Sequence, residues 1–228
     1  MKSTNASAAE RMTAELSELE RDALAELANV GVSRAASSLR KMVGQQVLLS
    51  VPSVEVVSKR TAALLLEQRE GNELVAVRQA FSGCFSGRAL MIFPQKESLE
   101  LVRVVVDQEL GSDSEGLAEE ALAEIGNVIL NGCLGTIANM LQQPLDLTIP
   151  EVFKGSGTQL FEVETSPASD GGLVLFLYIN FSIRELDIRG YIAMLMDLPA
   201  LAKLKVLLSD FIARVMDEEV EVGAELKE

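Results

Sequence analysis

A repeated stretch constrains the fold of this 228-residue chain more than any other feature of its sequence. Residues 22–30 read DALAELANV, and residues 120–128 read EALAEIGNV, 98 positions further on. Each copy is followed by a proline 23 positions after its asparagine, at Pro52 and Pro150. A repeat has to rebuild its core, so shared Ala and Leu are expected, whereas shared Glu, Asn and a distant Pro indicate a site present in two copies.

The spacing of apolar residues predicts the same order of elements in both halves. Residues 17–44 and 117–142 have helical spacing, and shorter runs typical of strands follow each of them, with Pro52 and Pro150 expected to end the first strand of each half. The predicted strands are 47–51, 61–67, 73–80 and 88–93, then 145–149, 159–164, 173–181 and 187–196, with further helices over 94–110 and 199–217. We therefore predict an α/β fold (an α+β sandwich), internally duplicated and pseudo-twofold, with two long helices packed on a largely antiparallel sheet shared by both halves.

The domain organisation follows from the same pattern. Residues 1–16 are polar and lack a strong period, so we expect a flexible N-terminal segment. No Pro-rich linker separates the halves, which favours one domain over 17–218 made of two repeats, about 17–110 and 113–210. An acidic tail, 219–228, follows.

Composition excludes several classes of function. The chain has 20 Lys and Arg against 34 Asp and Glu, so its net charge of −14 would repel a nucleic acid. It has no histidine, which removes the commonest general base and metal ligand. Its longest apolar run, 172–178, falls short of the roughly 20 residues that span a bilayer, so we expect a cytoplasmic protein without membrane contact. Cys84 and Cys133 have no metal-ligand spacing and are expected to be buried, reduced thiols.

The polar residues of the repeat fall on one face of each long helix. Asp22, Glu26 and Asn29 stand at positions i, i+4 and i+7, which lie within about 60° of one another on an α-helix. The second copy has the same arrangement in Glu120, Glu124 and Asn127. A solvated helix face explains a single such set, but asparagine costs about 0.5 kcal/mol relative to alanine inside a helix. Its presence in both copies favours a functional role on an exposed face, where replacement should leave the fold intact.

These residues form the pattern Asp/Ser-x3-Glu-x2-Asn-x22-Pro, which resembles the signature of the CheC/CheX/FliY phosphatases. That family dephosphorylates the chemotaxis response regulator CheY, and the two motifs in one chain resemble CheC most. The first copy matches at every position of the pattern, namely Asp22, Glu26, Asn29 and Pro52. The second copy matches at Glu124, Asn127 and Pro150, but has Glu120 where the family shows Asp or Ser.

The resemblance implies an aspartyl-phosphate phosphatase whose site is completed by its partner, a phosphorylated CheY-like response regulator. Asn29 and Asn127 would orient the attacking water, while Glu26 and Glu124 would pair with a lysine of the regulator. The regulator would supply Mg²⁺, and this chain would bind no cofactor or metal of its own. The alternative is a non-catalytic chemotaxis adaptor that binds a response regulator or the receptor deamidase CheD. A flagellar switch component fits less well, because no appended switch domain is evident.

Overall fold

A computed structural model of the chain describes residues 16–44, 46–106, 114–163, 173–183 and 186–225. The helices are α1 (Glu18–Val43), α2 (Lys59–Glu70), α3 (Gln95–Val106), α4 (Ser114–Met140), α5 (Gly157–Leu160) and α6 (Leu198–Glu225). The strands are β1 (Val47–Ser58), β2 (Leu74–Gly83), β3 (Gly87–Pro94), β4 (Leu145–Leu147), β5 (Glu151–Gly155), β6 (Leu173–Ile183) and β7 (Leu186–Met196). The predicted N-terminal segment lies outside the described residues except for Leu16.

The strands that the structure describes form one antiparallel sheet in the order β1-β6-β7-β3-β2, and β2 also pairs with β4 and β5. The strands that follow the long helix of each half therefore pair with the other half, β1 with β6 and both β4 and β5 with β2, while β3 and β7 join the halves at the centre. The predicted fold class, with long helices on an antiparallel sheet shared by both halves, is confirmed. The order of elements is similar in the two halves, whereas their origin by duplication stays a prediction.

Each face of the sheet is covered by helices. Alternate strand residues, such as Val77 and Leu177, face the larger core, where they pack with residues of α1, α3, α4 and α6. The intervening residues, such as Ala76 and Phe176, face the smaller core beneath α2 and α5. The two-residue period of the strands thus divides the apolar side chains between both faces, and the long helices α1 and α4 lie together on one of them.

The helices α1 and α4 approach each other closely where both carry small residues. A Cβ atom added to Gly31 would lie 2.7 Å from Cα of Cys133, and one added to Gly132 would lie 2.8 Å from Cβ of Ala35. Such distances leave no room for a side chain, so glycine permits the helix axes to approach. This close contact fixes the two copies of the repeated motif relative to one another.

The ends of α1 agree with the sequence. Ser17 and Glu20 form a capping box, in which the Glu20 amide donates to Ser17 Oγ and the Ser17 amide donates to Glu20 Oε2. Gly44 follows the helix with a φ of 69°, a left-handed conformation that favours glycine. The start and the end of this long helix are therefore encoded locally.

The prediction of a strand over 61–67 was wrong, because this segment belongs to α2. Ser58 accepts a hydrogen bond from the Thr61 amide and caps the helix, and Gly71 ends it with a φ of 81°. The run of Ala and Leu between them consists of strong helix formers, and its apolar character reflects burial of Ala62, Ala63 and Leu66. A short apolar run is equally compatible with a buried strand and a buried helix.

The segment after Pro150 also differs from its prediction. Where the sequence suggested a strand over 159–164, Ser156 forms a capping box with Gln159 at the start of the one-turn helix α5. The strand that pairs with β2 is instead β5, immediately before this helix. At the C-terminal end, α6 continues through Glu225 and includes part of the predicted acidic tail.

Two expectations need correction, namely the burial of both cysteines and the absence of a segment apolar and long enough to span a bilayer. Cys133 is fully buried as predicted, but Cys84 is only half-buried. The helical stretch Gly116–Met140 is long and apolar enough to cross a membrane by length and composition alone. In this fold it forms α4, whose apolar residues, among them Ile125 and Ile129, pack in the larger core. That position accounts for its composition.

Candidate functional site

The first copy of the motif lies in the middle of α1. Glu26 is exposed, whereas Asn29 is half-buried and turned towards β1. The Val51 amide donates to Asn29 Oδ1 at 2.8 Å, and Asn29 Nδ2 donates to the Val51 carbonyl at 3.3 Å. Both polar atoms of this amide are therefore engaged with the backbone of one residue.

A β-bulge explains why Asn29 contacts Val51. The pairing of β1 with β6 shifts between Ser50 and Ser53, so one extra residue of β1 falls in this interval and Val51 has no partner in the ladder. The Asn29 amide satisfies the free N–H and C=O of Val51. Pro52 lies in the same bulge, where its missing N–H costs no ladder bond. The expectation that Pro52 ends the strand is thus wrong, and the spacing of 22 residues between asparagine and bulge has a structural cause.

The second copy holds its asparagine differently. Glu124 is exposed and Asn127 half-buried on α4. Asn127 Oδ1 accepts from Gln79 Nε2 at 3.1 Å and from Asn131 Nδ2 at 2.5 Å. Pro150 lies between β4 and β5, as a residue that interrupts a strand should. Within the described residues, no protein acceptor binds Asn127 Nδ2, so this nitrogen remains available to a ligand.

The surface around the first copy is a shallow polar groove on α1, lined by Glu26, Asn29, Val30, Ser33, Arg34 and Ser37. The remaining motif residues, Asp22 and Glu120, are exposed on their helices. The structure thus brings each acid and amide to a common helix face, with the carboxylates in solvent and the amides partly sheltered. The sequence pattern predicts this face, but both asparagines are half-buried rather than fully exposed.

The chemistry available at these faces is orientation and charge pairing. Burial raises the pKa of the Cys133 thiol to about 12, so this cysteine is neutral and unreactive near pH 7. Among the residues that the structure describes, no group of three or more Cys, Asp or Glu side chains could hold a metal ion. An amide can orient a water molecule without titrating, and a carboxylate can pair with a cation of a partner. Both groups suit a site at which another molecule supplies the reacting group.

Comparison with known proteins agrees with this fold and these motifs. The family model described as chemotaxis phosphatase CheX matches residues 75–169, and that of the CheC-like family matches residues 19–56. The flagellar motor switch phosphatase FliY of Bacillus subtilis (strain 168) is 24% identical over 180 residues, which cover 75% of this chain and 45% of FliY. The CheY-P phosphatase CheC of the same organism is 23% identical over 205 residues, 85% of this chain and 95% of CheC. This chain therefore spans less than half of the FliY relative but nearly all of CheC.

Solved structures share the fold. Thermotoga maritima FliY superposes with a TM-score of 0.67 at 15% identity, covering 86% of this chain and 98% of that chain. The FliM middle domain from H. pylori superposes with a TM-score of 0.54 at 8% identity, covering 84% and 99%. Fold and motif together make this chain similar to the CheC, CheX and FliY proteins. The resemblance predicted from the two motifs is confirmed by the family models and by these relatives.

The contact between Asn29 and the bulge predicts a stability effect that corrects the expectation of a purely exposed residue. Asn29→Ala leaves the Val51 N–H and C=O without their partners, so we expect the free energy of unfolding to fall by about 1–3 kcal/mol. Urea unfolding followed by circular dichroism measures this loss. The Asn127 amide accepts hydrogen bonds only from side chains, so Asn127→Ala should lower the free energy of unfolding by less. An equal loss in both variants would contradict the role of the bulge.

Proposed function

We propose that this chain is a phosphatase that hydrolyses the aspartyl phosphate of a CheY-like response regulator. The observation that carries the proposal is the state of Asn127, whose oxygen accepts from two donors while its Nδ2 atom has no acceptor within the described residues, on the helix that also carries the exposed Glu124. A pre-oriented donor next to a free carboxylate is what a water-positioning site needs. Two relatives, CheC and FliY, are named as phosphatases.

The reaction needs only groups that orient. The regulator would contribute the aspartyl phosphate with its Mg²⁺, and Glu124 would pair with a lysine beside the phosphate. A water molecule that accepts a hydrogen bond from Asn127 Nδ2 keeps a lone pair directed at phosphorus. Its oxygen forms the new bond to phosphorus as the bond to the aspartyl oxygen breaks, and the products are inorganic phosphate, the free carboxylate and a proton.

The two copies should contribute unequally. At the first copy, both polar atoms of Asn29 are engaged with Val51, so its amide has to share or break a bond before it can orient water. Asn127 needs no such rearrangement. We infer that the second copy carries most of the activity, although its Glu120 departs from the family pattern while the first copy matches it fully. Geometry and motif thus rank the two copies in opposite order.

The carboxylates provide the test of the phosphatase proposal. A CheY-like regulator is phosphorylated with a small-molecule phosphodonor, and its dephosphorylation is followed with and without this chain. We expect the wild-type chain to accelerate the loss of phosphate and the variant Glu26→Gln/Glu124→Gln to lose most of this effect, because both exposed charges that pair with the lysine are gone.

The same assay separates the phosphatase from the adaptor. Regulator that binds in its phosphorylated form without faster loss of phosphate would contradict the proposal and support a non-catalytic adaptor. The fold alone does not discriminate, because FliY and the FliM middle domain both share it. The acid and amide pairs favour the phosphatase over the adaptor, since a passive scaffold has no need of an oriented amide. A CheD partner stays an expectation from the resemblance, and a cytoplasmic location stays an expectation from the sequence.

A further inference from the structure

Gln79 is a buried polar residue beneath the second copy of the motif. It lies on β2, its side chain is 1% exposed, and it belongs to the large apolar core of the sheet by position. Gln79 Nε2 donates two hydrogen bonds, one to the Thr148 carbonyl at 2.8 Å and one to Asn127 Oδ1 at 3.1 Å. It therefore connects the loop between β4 and β5 to the asparagine on α4.

These contacts determine which atom of Asn127 faces outward. The Thr148 carbonyl only accepts hydrogen bonds, so the group of Gln79 that points to it must be the amide nitrogen. The second hydrogen of that nitrogen requires an acceptor, and the atom of Asn127 facing it must therefore be the oxygen. Nδ2 is left on the outer side. A backbone carbonyl thus sets the orientation of Asn127 through Gln79.

Packing does not account for a glutamine at this position. Its Oε1 atom is buried and has no hydrogen-bond partner within the described residues, which is unfavourable. The corresponding position in the other half is apolar. Val77 of β2 pairs with Val152, and Leu177 of β6 pairs in the same way with Val54, the equivalent of Val152 in the first repeat. Two residues further along each strand, Ile179 of β6 therefore corresponds to Gln79 of β2. Ile179 is also 1% exposed. The equivalent buried site in the other half therefore holds an apolar side chain.

We propose that Gln79 is a positioning residue of the second copy, which holds the Asn127 amide with its nitrogen towards the reacting water. The inference rests on the proposed phosphatase function. Gln79 touches neither the regulator nor the water, because it is buried beneath Asn127. Asn131 also donates to Asn127 Oδ1, so loss of Gln79 should weaken the orientation without abolishing it.

The test replaces Gln79 by methionine, which is similar in length and makes neither hydrogen bond. In a Glu26→Ala background, which removes the exposed carboxylate of the first copy, we expect Gln79→Met to lower kcat about 10-fold and to change KM less than about twofold. The unfolding temperature should change little, because removal of the unpartnered Oε1 atom offsets the loss of the hydrogen bond to the Thr148 carbonyl. Ile179→Met in the same background is the matched control and should leave kcat unchanged.

A second measurement separates this proposal from the phosphatase proposal. The side-chain NH₂ resonances of Asn127 are recorded by ¹⁵N NMR in the wild type and in Gln79→Met. A shift of these resonances with a lower kcat supports the proposal, and unchanged resonances overturn it. If the wild type dephosphorylates no regulator, the phosphatase function fails, while a shift in Gln79→Met still supports the positioning of Asn127. If Gln79→Met lowers both kcat and the unfolding temperature, while Ile179→Met lowers neither, the positioning role is overturned in favour of a purely structural role.

Discussion

Replacing Asn127 by alanine in the Glu26→Ala background is expected to slow dephosphorylation of the regulator on the order of 10²–10³-fold. This is the usual effect of removing one pre-oriented donor from a catalytic site. The alanine leaves the water without the amide nitrogen of Asn127, and the Glu124 side chain has no nitrogen with which to replace it. Single-turnover measurement at saturating concentration of this chain gives the rate directly.

The control for this experiment is Asn139→Ala, the same change at an exposed position further along α4. Its rate should equal that of the Glu26→Ala background. A loss of less than about threefold in Asn127→Ala would show that the amide is dispensable. Asn29 would then be the residue to test, despite its contacts with Val51.

Gly126→Ala is expected to lower the free energy of unfolding by about 2–3 kcal/mol, within the range measured for over-packed cores. Gly126 lies between Glu124 and Asn127 on the buried side of α4, and an added Cβ would lie 2.4 Å from Cβ of Val77. Val77 is a fully buried residue of the central sheet and its Cβ cannot rotate away. The helix has to move, which also separates Asn127 from Gln79, so activity should fall with stability. Denaturant unfolding and the phosphatase assay measure both effects.

Gly135→Ala on the same helix provides the contrast. Among the described residues, no atom outside the neighbouring helix backbone lies within 4 Å of an added Cβ at this position, so the change should stabilise the protein by about 0.5–1 kcal/mol through helix propensity alone. Equal effects of the two substitutions would mean that α4 packs against β2 less closely than the structure shows.

The parts of the fold that the sequence predicted are those encoded by local signals. The capping box at Ser17 and the left-handed Gly44 define α1, and alternating runs predicted β2, β3, β6 and β7 to within a few residues. The segment 61–67 could not be assigned in this way, because the choice between helix and strand for a short apolar run depends on which neighbours bury it.

The sequence predicted those residues of the site that share one helix face. The periodicity of α1 placed Glu26 and Asn29 together, but it carries no information on residues that reach this face from the sheet. Both the contact with Val51 and the contact with Gln79 join elements far apart in sequence. Gln79 directly follows Arg78 after the apolar run 74–77, and nothing in this pattern marks Gln79 as a buried residue beneath the site.

The pairing of strands between the two halves affects how the chain folds during its synthesis. Leu49 of β1 pairs with Phe181 of β6, 132 residues further on. At the usual speed of protein synthesis, this partner leaves the ribosome on the order of 10 s after β1. During that interval the first half has an unpaired edge strand with apolar residues, the state in which nascent chains aggregate or bind chaperones. Because of this arrangement, neither half can complete its sheet until nearly the whole chain has been translated.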